Sequence, residues 1–183
     1  MENIIFEVIN YRKNRKELEK IANIKILDLA IIFREEESCN YLLKTEYEGK
    51  ELFLWDKAKT YMLKNYPIVV NSVENILFGE IKPITPETLM LFTTNGLSFG
   101  VIFYTEVLQE ICSKLETDSL YIIPSSKKEG IIMKRNIIDF PTQQIKQIIR
   151  QVNLTEVSEK DYLSDNLYLY DLNTNTISIA KEE

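Results

Sequence analysis

The stretch "SLYIIPSSKKEGIIMKR", residues 119–135, sets the reading of the fold. Two apolar, β-branched runs enclose the polar segment "PSSKKE", a pattern that predicts two strands joined by a turn. Pro124 is expected to stop the first strand, with Ser125 and Ser126 bonding the turn backbone and Lys127, Lys128 and Glu129 facing water before Gly130 re-enters the sheet.

Working outward, helical spacing dominates on both sides. "TQQIKQIIRQVN" after Pro141 predicts a helix burying Ile145, Ile148, Ile149 and Val152, and "FYTEVLQEICSKLE" predicts another on Phe103, Val107, Leu108, Ile111 and Leu115. A third, "KELFLWDKAKTYMLKNY", carries Trp55, Ala58, Met62 and Tyr66 on one stripe and is ended by Pro67.

Strand patterns fill the rest. "IIFEVINY" predicts a strand leading into a short helix with Leu18, Ile21 and Ala22, capped by Asn14 with Glu17 three residues on. "ILDLAIIFREEE" reads as one strand covered on both faces, with "CNYLLKTEYEG" as its hairpin mate. Residues 68–86 read as a connector with a short strand or turn at "NILFGE", "TLMLFTTNG" as strand and turn, and "DNLYLYDLNTNTISIA" as a closing hairpin. The expected class is α+β, a mixed and largely antiparallel sheet with about three main helices, in a single domain over residues 1–183.

The residue inventory excludes much chemistry. The 183 residues contain no histidine, which removes the commonest general base near neutral pH and the commonest transition-metal ligand. Cys39 and Cys112 are too few and too far apart for a thiolate zinc site or a disulfide framework, so both are expected as free thiols and no metal is expected. The five glycines form neither a P-loop nor a dinucleotide fingerprint, so no cofactor is expected. The loop "NGLSFG", opening at Asn95, is at most a weak anion site.

No apolar run reaches the ~18 residues that cross a bilayer, and the N-terminus lacks the pattern of a secretory signal. A cytoplasmic chain with no membrane partner is therefore expected. The net charge of −6 opposes nucleic-acid binding, which would rest on the N-terminal basic cluster Arg12, Lys13, Arg15 and Lys16.

One motif carries chemistry. Ser125 and Lys128 are spaced as SxxK, in which a buried lysine can deprotonate a serine, so a hydrolase centred on Ser125 or Ser126 with Lys128 is one reading. The motif belongs on a helix and needs an oxyanion hole, whereas "EGIIMKR" reads as a strand. An intermediate reading makes a ligand or partner rim from three loops: "TTNG" with Asn95, the turn with Ser125, Ser126 and Glu129, and "LSDN" with Asp165. Consecutive Glu35, Glu36 and Glu37 point in different directions and read as a solvated turn, and Asp28 and Asp165 as local caps or backbone acceptors.

Several stretches together, "VINYRKNRKELEKI", "LDLAIIF", "LFTTNGLSFGVIFYTEVLQEI", "LYIIPSS" and "VNLTEVSEKDYLSDNLYLYD", resemble the mostly Firmicutes family known as domain of unknown function 5688. The resemblance extends to the helix around Trp55 and spans nearly the whole chain. It implies a bacterial protein similar to the C-terminal portion of longer members. In the family the turn reads Pro-Ser-Ser-Val-His-Glu; here Pro124, Ser125, Ser126 and Glu129 match, while a lysine, Lys128, replaces the histidine. Histidine chemistry is therefore not carried over, and the family supplies no activity to import.

The expectation is a non-enzymatic protein-binding module, an adaptor or inhibitor, in one setting from a mobile genetic element. The partner is a protein, or a second copy in a homodimer. Tyr168 and Tyr170 on the closing hairpin are the aromatics expected to be exposed for it. A serine-lysine hydrolase and a weak nucleic-acid binder are the alternatives.

Overall fold

The first strand, β1 (Ile4–Asn10), has six of its seven residues buried, so it is covered on both faces. The computed structural model, which describes residues 3–73, 88–93, 99–137 and 140–182, pairs it antiparallel with β3 (Leu29–Glu35), which pairs in turn with β2 (Asn23–Ile26). The apolar run expected as one strand is thus two, split by a turn at Leu27 and Asp28 in which Leu27 takes a left-handed φ of 53°. "CNYLLKTEYEG" is the expected hairpin mate only over residues 40–42, where Arg34 and Tyr41 form an antiparallel bridge. Because β2 occupies the edge of β3 up to Ile32, this segment extends that line only at its end: Leu42 N–H donates to Phe33 and Glu35 N–H to Asn40. It then forms the short helix α2 (Lys44–Tyr47).

Between β1 and β2, the helix α1 (Arg15–Leu18) is a single turn, and Ile21 bridges to Leu43 instead of lying on it. Asn14 does not cap it, since its side-chain amide donates back to the Asn10 carbonyl.

The long helix α3 (Glu51–Asn65) buries Leu54, Ala58 and Met62, with Trp55 and Tyr66 half-buried at the margin of the expected stripe. Phe33 turns its carbonyl to Leu42, so the opposed Phe6 points its N–H away from β3, and there it donates to Met62 Sδ at 3.4 Å. The helix therefore lies over the outer side of β1, covering an edge that would otherwise offer unpaired backbone groups.

Six further strands form a second sheet: β4 (Ile68–Ser72), β5 (Thr88–Thr93), β6 (Ser119–Ser126), β7 (Glu129–Lys134), β8 (Tyr168–Asp171) and β9 (Thr176–Ile179). Their order is β4-β5-β7-β6-β8-β9 and every neighbouring pair is antiparallel. β4 lies in the segment expected as a connector; "NILFGE" and the part of "TTNG" beyond Thr93, including Asn95, lie outside the described residues. The β6–β7 hairpin is present, but Pro124 does not end its strand. The register shifts between Ile123 and Ser126, and β8 pairs with β6 only as far as Ile122, so Pro124 occupies a bulge where its missing N–H leaves no ladder bond unmade.

One face of this sheet presents Leu89, Leu91, Leu120, Ile122, Ile132, Tyr168 and Tyr170 to the main core. That core also holds side chains of β1, β3, α3, the 3-10 turn Phe99–Phe103 and the helix α4 (Thr105–Leu115). Phe6, Trp55 and Tyr104 cluster there with ring centroids 4.9 to 5.9 Å apart. Gly100 permits the close approach of the 3-10 turn, for a Cβ at that position would overlap the Phe6 ring. The last helix, α5 (Thr142–Thr155), packs on the opposite face. Among the described residues the fold is α+β, with five α-helices, three of them longer than two turns.

Candidate functional site

The serine-lysine turn comes first because it carried the sharpest chemical expectation. Ser125 Oγ donates to Glu129 Oε1 at 3.4 Å, and Ser126 Oγ accepts the backbone N–H of Lys128 at 3.1 Å. The Lys128 side chain is 64% exposed, its ammonium 3.8 Å from Asp161. A lysine in solvent lacks the burial that an SxxK base requires, and the residues lie on a strand end and its turn. The backbone nonetheless ties neighbouring loops together here: Lys127 N–H donates to the Asp161 carbonyl, and the Lys127 carbonyl accepts Phe99 N–H.

Tyr168 and Tyr170 are not exposed, as expected of partner-binding aromatics, but fully buried. The register explains it: they stand opposite Ile122 and Leu120, whose side chains face the main core. Their hydroxyls find partners there, Tyr170 donating to Asn175 Oδ1 and Tyr168 to Asp28 Oδ1.

Asp28 is a hub that local sequence does not reveal. Its carboxylate accepts Tyr168 Oη at 2.7 Å, Ser164 Oγ at 2.6 Å and Asn166 Nδ2 at 3.0 Å, three side chains instead of the local backbone donors expected. Nearby, Asn10 Nδ2 donates to the Leu163 carbonyl and the Lys13 ammonium lies 4.0 Å from the Tyr162 ring centroid. Asp165 accepts Asn153 Nδ2 at 2.8 Å. The bonds of Asp28 and Asn10 fasten the small sheet to the loop before β8, the Asn153–Asp165 bond ties α5 to the same loop, and the Asp28 carboxylate is taken up by its three donors, which makes the cluster a latch.

Two grooves accompany this frame. One, of about 800 Å³, has Lys16 and Lys20 beside Glu17, Glu35 and Glu46, so the basic cluster meets an excess of carboxylates on this side. The other, of about 450 Å³, runs between Ile4 and the flank of α3 at Phe53 and Tyr61.

The feature that stands out chemically is α5. Ile145 and Ile149 pack on Tyr121, Met133, Leu167 and Ala180, but Ile148 and Val152, expected to be buried with them, are 56% and 44% exposed. Phe140 and Leu154, at 60% and 74%, belong to the same end of the molecule's sequence. The helix is held in this rotation by its other flank: Lys146 Nζ donates to the Ala180 carbonyl, and Asn153 Nδ2 to the Ser164 carbonyl. That flank faces β8 and β9. Ile148 and Val152, about 40° apart round the helix, are therefore turned toward β7, β5 and β4.

On that side of the sheet, register aligns Met90 of β5, Ile131 of β7 and Ile123 of β6 on the face that carries α5, all half-buried. Asn71 of β4 continues the row and is exposed. Six strands about 4.8 Å apart span about 24 Å, and among the described residues one helix, about 10 Å across, lies on this face.

The model of a family of unknown function, DUF5688, matches residues 1–172. The chain belongs to that family. No curated protein and no solved structure matches it. For a DUF5688 member, then, the open flank of α5 and the latch at Asp28 have to be interpreted from their own chemistry.

Proposed function

We propose that this DUF5688 protein is a protein-binding module, an adaptor or inhibitor, that docks through the open flank of α5. The observation that carries the reading is that Ile148 and Val152, at core spacing on an otherwise well-packed amphipathic helix, face solvent, as does Leu154 on another side of the same helix. Single exposed apolar residues are ordinary, but a concentration of them on one helix marks a surface that is covered in the working state. The adjoining row of Met90, Ile131 and Ile123 gives the docking element a second wall. Groove-and-helix recognition of this kind places apolar anchors one helical turn apart.

The test is a photocrosslinking amino acid at position 148, with one at Lys114, an exposed residue of α4, as control. An adduct with a defined protein chain from position 148, lost when Val152→Glu is added and absent from position 114, is the expected result. Equal labelling from both positions, or none from 148, overturns the reading.

A further inference from the structure

We infer that the outer edge of β9 is a dimer seam: two copies of the chain join β9 to β9, antiparallel and two-fold, so that one sheet runs through both. This seam is independent of the open flank of α5. β9 is the edge of the large sheet remote from β4. Ala180 N–H donates to the Leu167 carbonyl, on the register that pairs Ser178 with Leu169 and Thr176 with Asp171, so these three residues of the strand and its end turn their backbone groups to β8. By alternation Ile177 and Ile179 turn theirs outward. Among the described residues nothing bonds to them there, whereas the outer side of β1 is covered by α3.

Strand edges left in water are normally guarded by a lysine, a proline, a bulge or a covering helix. Residues 172–180 contain no charged residue and no proline, and β9 pairs with β8 without a register shift. The helix α5, packed on Tyr121, Met133, Leu167 and Ala180, lies inboard of the edge, and Thr176 and Ser178 are exposed beside it. An unguarded strand of threonine, isoleucine and serine is a template for another strand.

The occupant is a second β9 because the strand is complementary to itself. With the two-fold axis at Ser178, Ile177 of one copy stands opposite Ile179 of the other, twice, and each such pair exchanges both N–H···O bonds, which engages the outward groups of Ile177 and Ile179 in both copies. The core-facing row that runs from Tyr168 to Ile179 continues into Ile177 and Tyr170 of the second copy. At the flanks Lys181 meets Asn175 and Glu182 meets Thr174, so in a chain of net charge −6 no like charges are opposed along the seam.

The experiment combines sedimentation equilibrium of the full chain with cysteine crosslinking. The wild-type mass is expected to rise with concentration from 21.5 kDa toward twice that value. In a Cys39→Ser background, which removes the exposed native thiol, Ser178→Cys is expected to form a disulfide dimer on mild oxidation, because the non-hydrogen-bonded pair at the axis brings its Cα atoms to about 4.5 Å, inside disulfide range. Thr176→Cys, two residues from the axis and so four from its own copy, is expected to form none. Ser178→Lys sets like charges face to face and is expected to raise Kd roughly tenfold, while Asn173→Lys in the hairpin turn leaves it unchanged. Positions 173, 176 and 178 are exposed in the monomer, so unchanged far-ultraviolet dichroism verifies that these variants fold. A wild-type monomer at every concentration, a dimer indifferent to Ser178→Lys, or equal crosslinking from positions 176 and 178 overturns the inference. Each of these leaves the docking reading of α5 standing, which falls only on the crosslinking from position 148.

Discussion

The Tyr168 hydroxyl donates to Asp28 Oδ1 at 2.7 Å, joining the β2–β3 turn to the start of β8 across 140 positions of sequence. With Ser164 and Asn166 on the other oxygen, one carboxylate holds the small sheet against the loop that feeds the large one. The side chains gathered there come from both sides of the junction, so the latch is a direct contact between the two sheets' segments.

Tyr168→Phe removes one hydrogen bond to a charged acceptor and is expected to cost about 1.5–3 kcal/mol. Asp28→Ala leaves three donors without their acceptor and is expected to cost roughly 3 kcal/mol or more. Urea unfolding of both single variants and the double variant measures this. The double variant should lose clearly less than the sum, because the two residues share one interaction; strict additivity would show that the bond contributes nothing.

Alkaline pH should weaken the fold. Burial, and after it the Asp28 charge, holds the Tyr168 hydroxyl well above its ordinary pKa of 10.0, and burial followed by Glu106 does the same for Tyr104. A group whose pKa is raised on folding contributes stability that is complete below its unfolded value and lost as pH climbs toward the folded one. Above pH 10.0 the unfolded phenols release protons that the native ones keep, so stability falls by about 1.4 kcal/mol per pH unit for each. Urea midpoints should drop above that pH, and less steeply in Tyr168→Phe; parallel slopes for the two proteins would remove Tyr168 from the account.

Thiol titration separates the two cysteines. Cys39 is exposed, with Arg34 Nη1 3.3 Å from its sulfur, whereas Cys112 is buried and its thiol is pushed up to about 11, first by desolvation and then by Asp118. A disulfide reagent at neutral pH should label one thiol at once and the second only on unfolding. Two rapid equivalents would contradict the packing of α4.

Adjacent isoleucines of α5 should behave oppositely. Ile149→Ala opens a cavity beneath the helix and is expected to cost about 2–4 kcal/mol, whereas Ile148→Ala, at a concentration where the chain is monomeric, should change stability by less than about 0.5 kcal/mol. Thermal or urea unfolding of the two variants decides it, and similar losses at both positions would mean that the flank is already covered within one chain.

Elements with strong periodicity were legible. The Ser119–Ser126 and Glu129–Lys134 hairpin, the closing hairpin, and helices α3, α4 and α5 all follow from spacing that local sterics enforce. Misreadings cluster where a neighbour decides. Pro124 looks like a terminator, yet it sits in a strand because β8 has already ended beside it. "ILDLAIIF" reads as one strand because nothing in its composition announces a turn at Leu27. Tyr168 and Tyr170 alternate as a strand should, and only the face chosen by pairing with β6 buries them.

The amino-acid sequence by itself determined the α+β composition, the positions of most helices and hairpins, and the absence of histidine, P-loop glycines and clustered cysteines. Those properties depend on residue identity and on spacings of two to four, which act within a few residues. Tertiary structure decided the rest: that Asp28 meets Ser164, Asn166 and Tyr168, and that of four isoleucine and valine positions on α5 two are covered and two are not. Helical periodicity marks an apolar stripe but not its rotation, which here is set by Lys146 and Asn153 reaching Ala180 and Ser164. Strand order fixes how wide a face that helix must cover, and both arise from contacts between segments that the chain brings together only on folding.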